Sequence, residues 1–242
     1  MVGNQVYQYG TGTLFQIGNR RFLVTAAHVV NTANKQQARL HVPEKTDGDA
    51  PLISLHGLSG FGGESPLDVV TIELPDAIVD RMPARRFLRQ TEVSHDEDSA
   101  LDVFYLFGFP GKFTDPMPLG INLHGIGILT DRYSGDAQRF GGYDARLHVL
   151  CNMPEPAQTH AHGVPFPEDL GGISGACLWR VKRAEPLEKW TADHIRAVAV
   201  QTGVYQQQNS RRAIRATRWG VVTTLFELKY EDLRPSLRLQ LP

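Results

Sequence analysis

The sequence predicts an all-β protein built as two antiparallel β-barrels with a short C-terminal helix. Three observations predict it. Gly and Pro recur at short intervals, and β-branched and aromatic residues cluster between them, as in chains of many short strands. A charged stretch over 83–99, with Arg85-Arg86 and then His95-Asp96-Glu97-Asp98, has little apolar content to bury and interrupts the strands. The strand candidates on each side of it suffice for one barrel each, and closure removes edges that would otherwise pair with other chains. The expected boundaries are 1–85 for the N-terminal barrel, 86–99 for the linker, 100–222 for the C-terminal barrel and 223–242 for the helix and tail.

The elements follow in order. Thr11 to Gln16 and Arg21 to Thr25 form a hairpin, because Gly18-Asn19 between them tolerates the positive φ of a tight turn. Ala26-Ala27-His28-Val29-Val30 follows at once and has room for one helical turn. Further strands are expected at Ala38 to Val42, Leu52 to Leu58 and Val69 to Leu74. Beyond the charged stretch they resume at Leu101 to Phe109, Gly120 to Thr130, Ala145 to Asn152, Ala176 to Val181, Ile195 to Tyr205 and Ala213 to about Val221. Leu225, Phe226, Leu228 and Leu233 suit a short helix over Thr224 to Leu233. No internal repeat interrupts this order.

Length and charge narrow the function classes. A chain of 242 residues buries a substantial core without staples. Its formal net charge is −1, and the basic residues are scattered apart from Arg85-Arg86 and Arg211-Arg212, so a nucleic-acid partner is not expected. No apolar run approaches bilayer-spanning length, and Met1-Val2-Gly3-Asn4-Gln5 carries no secretory signal, so no membrane partner is expected either. Cys151 and Cys177 are the only cysteines, too few for a disulfide framework, and a cytoplasmic location is the expectation. Cys177, in an apolar strand, reads as a small buried thiol.

Chemistry concentrates in three short windows: Thr25-Ala26-Ala27-His28, Leu67-Asp68-Val69-Val70 and Gly171-Gly172-Ile173-Ser174-Gly175. A serine is a poor nucleophile until an imidazole takes its proton, and the imidazole needs a carboxylate to hold its tautomer. The order His, Asp, Ser differs from the two other known triad orders, which run Ser, acid, His or Asp, His, Ser. Taken alone, the last window is equally a Gly-rich turn, a histidine after an apolar strand is more often structural, and an Asp opening a strand is usually a turn residue. An α/β-hydrolase elbow would need Gly-x-Ser-x-Gly and a helix, whereas Ala176 and a strand follow Ser174.

Jointly the windows resemble the trypsin-like (chymotrypsin-fold) serine peptidases, especially the stand-alone bacterial type with a trypsin-like peptidase domain. The resemblance implies the chymotrypsin-type pair of barrels. It implies Ser174 as nucleophile, His28 as general base and then acid, and Asp68 as orienting carboxylate, with the N–H groups of Gly172 and Ser174 forming the oxyanion hole. Asp102, in Leu101-Asp102-Val103-Phe104, is the rival acid, but it lies after the linker, and the family's His and Asp both come from the first barrel. Glu168, with Asp169 beside it, stands where the family places the floor of the specificity pocket, and a carboxylate there would favour Arg or Lys in the substrate. Two loop acids are the equal alternative. Val200-Gln201-Thr202-Gly203 would form the opposite wall and pair with an extended substrate.

Some departures alter the mechanism. Secreted digestive members carry an aspartate before the nucleophile, which pairs with a newly cut N-terminus. Here that residue is Ile173, so no N-terminal cleavage is expected to shape the oxyanion hole. His160-Ala161-His162 lacks the third and fourth ligands that zinc wants and reads as loop, so no metal and no cofactor is expected. The stretch from Asp131 to Asp169 is long for a minimal barrel and is expected to decorate the active-site rim. The resemblance implies a serine endopeptidase acting on a protein or peptide substrate. It also implies an activating or effector partner protein, since bacterial members occur in multi-protein defence or signalling modules. The alternatives are a catalytically quiet peptide-binding module and a small-ester hydrolase on the same fold.

Overall fold

The computed structural model describes residues 6–45, 50–96, 102–117, 120–153, 170–181, 194–205 and 212–238. Their elements are β1 (Thr13–Ile17), β2 (Arg20–Ala26), α1 (Ala27–Lys35), β3 (His41–Pro43), β4 (Ala50–Ser54), β5 (Gly60–Gly63), β6 (Val69–Glu73) and α2 (Asp76–Val79). There follow β7 (Leu88–Arg89), β8 (Val103–Gly108), β9 (Thr114–Met117), β10 (Gly120–Leu123), β11 (Ile126–Asp131), β12 (His148–Asn152), β13 (Cys177–Val181), β14 (Ile195–Tyr205), β15 (Ala213–Arg218), α3 (Trp219–Lys229) and α4 (Arg234–Arg238).

Period-two burial builds the sheets. In β1, Thr13, Phe15 and Ile17 point inward, and in β8 Phe104 and Leu106 are buried while Tyr105 and Phe107 are exposed. The first half combines a five-stranded sheet, in the order β5-β6-β2-β1-β7, with a four-stranded sheet, β3-β4-β10-β9. Leu23, Ile53, Leu55, Ile72, Leu74 and Met82 form the core of this half. The second half is a curled six-stranded sheet, β11-β8-β13-β14-β15-β12. An antiparallel bridge between Arg132 and Cys151 joins its two edges. Phe104, Leu106, Ile128, Ile173, Leu178 and Ile214 lie in its core. The all-β expectation with a C-terminal helix holds.

A third cluster locks the halves together, and α3 supplies much of it. Trp219 stacks edge-on against Phe15 at 5.1 Å, and Phe226 against Phe22 at 4.7 Å. Both partners belong to the first half, so the C-terminal helix closes back over the N-terminal hairpin.

Several elements differ from expectation for identifiable reasons. The strand expected from Ala213 to Val221 ends at Arg218, because Trp219, Val222 and Phe226 share a helical face that buries against the core, so α3 begins before Thr224. Gly120 to Thr130 divides into two strands: β10 joins β4 of the first half, while β11 joins β8 of the second. The expected linker is not bare connection. Leu88-Arg89 pairs in parallel with β1, Val93 bridges to Ala197, and both Leu88 and Val93 are core residues. Strand β5, Gly60-Phe61-Gly62-Gly63, escapes a propensity reading because it is mostly glycine. A Cβ at Gly62 would fall 2.0 Å from the Val69 carbonyl oxygen, so this strand lies against its neighbour where no side chain fits. The segment after β2 is a nine-residue helix rather than one turn.

Candidate active site

The pairing of β2 with β6 sets the first part of the site. Ala26 lies opposite Val69, so Asp68, one residue before β6, falls beside the first turn of α1. Its carbonyl accepts from Ala27 N–H at 3.1 Å and its Oδ1 from His28 N–H at 2.9 Å. The carboxylate thus sits at the positive end of the α1 dipole and satisfies donors that would otherwise lack partners. The same carboxylate faces the His28 ring, with Nδ1 2.9 Å from Oδ2 and 3.1 Å from Oδ1. An ionised carboxylate only accepts, so Nδ1 carries the proton and Nε2 keeps its lone pair. The His28 side chain is 45 % exposed and the Asp68 side chain 10 %: a buried acid orients an imidazole that faces solvent. Asp68 holds φ at +48°, a left-handed conformation that is uncommon outside glycine.

The second half clamps this strained turn at three consecutive residues. His148 Nε2 lies 2.8 Å from the Pro66 carbonyl, Thr217 Oγ1 donates to the Leu67 carbonyl at 2.6 Å, and Arg215 Nη2 donates to Asp68 Oδ2 at 3.1 Å. His148 Nδ1 accepts from Asp144 N–H, which puts the imidazole proton on Nε2. Burial lowers the pKa of His148 below the usual imidazole value; Arg215 pushes in the same direction and the Pro66 carbonyl opposes it. Arg215 also donates through Nε to Thr202 Oγ1 at 3.2 Å.

Ser174 sits in a loop between Leu170 and β13 whose backbone is almost fully paired. Ile173 N–H donates to Leu170 O, Gly175 N–H to Gln201 O and Ala176 N–H to Ile173 O, at 2.7–3.0 Å. Among the described residues, the N–H groups of Gly172 and Ser174 have no protein acceptor. They are the two donors expected to bind an oxyanion. The loop depends on its glycines: Gly172 and Gly175 take φ of +95° and +96°. A Cβ at Gly175 would lie 2.0 Å from Thr11 O, and one at Gly172 would lie 2.6 Å from Gly111 N.

The N-terminal segment touches both the nucleophile loop and the residue after the histidine. Thr11 N–H donates to Ser174 O at 2.7 Å, and a Cβ on Gly10 would meet both the Val29 side chain and Ser174 O within 2.9 Å. Val29 directly follows His28. No hydrogen bond joins Ser174 Oγ to the His28 ring among the described residues. In unliganded sites such bonds are often long and tighten only when substrate binds.

Residues 200–203, expected to form a wall of the substrate site, lie within β14. Strand β13 starts at Cys177 opposite Val200, so beyond Gln201, among the described residues, the strand β14 pairs only with β15. The Gly203 carbonyl accepts from Gln201 Nε2 at 3.0 Å and retains a second lone pair. Glu168 and Asp169 lie outside the described residues, as do His160 and His162. Asp102, the rival acid, is 3.8 Å from buried Arg180 and belongs to the second half. Cys177 is buried and free, its pKa pushed upward by burial. No group of three or more His, Cys, Asp or Glu among the described residues converges on a metal-sized site.

Three contributors escape a reading of the sequence: Arg215, His148 and Thr11. Arg215 and His148 lie far from the triad windows in sequence, and only the β12–β15 pairing brings them to Asp68. Thr11 reads as the first residue of a hairpin strand, and only its flanking glycines hint at a close approach.

No protein-family model matches the chain, and no curated protein matches it in sequence. Solved structures do. The serine protease domain of the Sesbania mosaic virus polyprotein aligns over 92 % of this chain and 86 % of its own, with a TM-score of 0.50 at 12 % identity. An inactivated protease paralogue from the scabies mite, S-I1, covers 93 % of this chain and 95 % of its own, with a TM-score of 0.49 at 13 % identity. At such identity the likeness is one of architecture, and the chain has the trypsin-like, chymotrypsin-type fold.

Proposed function

We propose that this protein is a serine endopeptidase that hydrolyses peptide bonds through an acyl-enzyme on Ser174. The observation that carries the reading is the coincidence of a carboxylate-oriented imidazole at His28 with a loop that leaves the Gly172 and Ser174 N–H groups without acceptors. In the first step Ser174 Oγ attacks the carbonyl carbon, and its proton passes to His28 Nε2 while Asp68 holds Nδ1–H. The carbonyl oxygen becomes an oxyanion that accepts from the Gly172 and Ser174 N–H groups. The imidazolium then protonates the leaving amine, the C–N bond breaks, and the acyl ester remains on Ser174. Water, deprotonated by the same imidazole, attacks the ester and releases the acid. The edge of β14 over Thr202–Tyr205, unpaired on one side among the described residues, supports a peptide substrate bound as an added strand. A cytoplasmic setting draws on the count of only two cysteines, and a protein substrate within a bacterial defence or signalling module on the resemblance of the three sequence windows. Among the described residues, no helix is long and apolar enough to cross a membrane.

A second reading, a catalytically quiet peptide-binding module, draws on the unmade Ser174–His28 hydrogen bond. Fluorophosphonate labelling separates the two. The endopeptidase reading expects covalent labelling of the wild type and none of Ser174→Ala. An unlabelled wild type that still binds extended peptides favours the binding module.

A further inference from the structure

The peptide units around Ser174 are held from outside their own loop by the segment that precedes β1. Thr11 uses every polar group it has. Its N–H donates to Ser174 O at 2.7 Å, and its carbonyl accepts from Thr25 Oγ1 at 2.7 Å. Its hydroxyl donates to Gly172 O at 2.8 Å and accepts from Phe109 N–H at 3.2 Å. Two residues after Phe109, Gly111 N–H donates to Gly171 O at 2.8 Å.

These bonds fix the sense of each peptide plane in the loop. In a trans peptide the C=O and N–H point in opposite directions. Gly111 draws Gly171 O toward itself, so Gly172 N–H points away from Gly111. Ala176 N–H draws Ile173 O in the same manner, so Ser174 N–H points away from Ala176. Between these two lies the Gly172–Ile173 peptide, and its carbonyl is held by the Thr11 hydroxyl. A displacement of that peptide would move the Cα atoms of Gly172 and Ile173, to which the two donor peptides are attached.

We propose that the Thr11 hydroxyl is a positioning residue for the oxyanion hole. It fixes the peptide between the two donors, and through Phe109 it fixes the 109–111 segment that holds the preceding peptide. The hole is thereby formed in the uncleaved chain by a side chain of the N-terminal segment. Ile173, where the secreted members carry an aspartate, is fully buried in the second core and takes no part in an ion pair. The inference rests on the serine-peptidase reading of the site.

The test compares Thr11→Val, nearly isosteric but without donor or acceptor, with Thr11→Ser, which keeps the hydroxyl. The backbone bonds of residue 11 to Ser174 and Thr25 survive in both, so the hydroxyl alone is removed. Thr11→Ala is made in parallel in case the valine variant does not fold. The readouts are the second-order rate of fluorophosphonate labelling and the amide exchange of residues 170–176. Thr11→Val should label at least tenfold more slowly than wild type, because a displaced oxyanion donor costs about 10²-fold or more in rate. Thr11→Ser should stay within about threefold of wild type, and exchange at 170–176 should quicken in Thr11→Val while β14 and β15 are unchanged. Equal labelling of wild type and Thr11→Val overturns the inference and leaves the peptidase reading intact. If the wild type does not label at all, the peptidase reading fails, and exchange decides the positioning claim. Faster exchange at 170–176 in Thr11→Val sustains the clamp, and unchanged exchange overturns it.

Discussion

Asp68 performs two tasks with one carboxylate: it caps the start of α1 through His28 N–H, and it orients the His28 ring. Asp68→Asn keeps the shape but presents an amide that can donate to Nδ1, which favours the wrong imidazole tautomer. On the peptidase reading, such a change lowers kcat by about 10⁴-fold, and the labelling rate of Asp68→Asn should fall comparably. Arg215 acts on the same oxygen from the opposite side. Replacing it with Met leaves a mostly buried carboxylate short of one charge-assisted donor, which costs about 2 kcal/mol of stability in denaturant unfolding. Arg215→Lys should recover little of this. The guanidinium reaches Asp68 through Nη2 and Thr202 through Nε simultaneously, and one ammonium cannot reproduce that fork. Full recovery by lysine would reduce Arg215 to a point charge and remove its orienting part in the site.

The nucleophile loop is a short element with an apolar anchor. Ile173 is fully buried, and a Cβ on Gly108 would lie 2.9 Å from its Cγ2, so strand β8 passes directly over it. Ile173→Ala leaves a cavity beneath Ser174 and should destabilise by about 3 kcal/mol, lowering Tm by roughly 10 °C in a scanning melt. An unchanged Tm would mean that the loop is held by its hydrogen bonds alone. The sequence made this loop legible through its glycines, and the His28 and Asp68 windows through their small or apolar neighbours. The local strands were legible too: β14 was expected at its observed limits, because eleven residues with a long β-branched and apolar run leave little choice. Non-local pairing was not legible. Nothing in Gly120-Ile121-Asn122-Leu123 indicates that it crosses to β4, and nothing in Leu88-Arg89 indicates a partner on β1. Both pairings depend on which edges the rest of the fold leaves open. Arg215 and His148 were illegible for the same reason.

At the scale of the whole molecule, the two halves meet in an apolar cluster under α3 and in the polar clamp on Pro66, Leu67 and Asp68. The clamp ties stability to pH through His148, which is fully buried and must stay neutral for Nδ1 to accept from Asp144 N–H. Its pKa in the folded state is lowered, first by burial, whereas in the unfolded chain it returns to about 6.5. Below pH 6.5 the unfolded state therefore binds a proton that the folded state refuses, and stability falls as pH drops through that value. Above it both states are neutral and the contribution is flat. One such proton gives a slope of at most about 1.4 kcal/mol per pH unit. His95, also lowered by burial, adds to the slope in the same direction. Tm measured from pH 8 to pH 5 should hold level and then decline below about pH 6.5. The decline should be shallower in His148→Gln, whose amide can still donate to Pro66 O but does not titrate. A slope unchanged in His148→Gln would assign the acid sensitivity to His95 and separate it from the joint between the halves. A shallower slope would assign the acid sensitivity to the joint between the halves, where His148 holds Pro66.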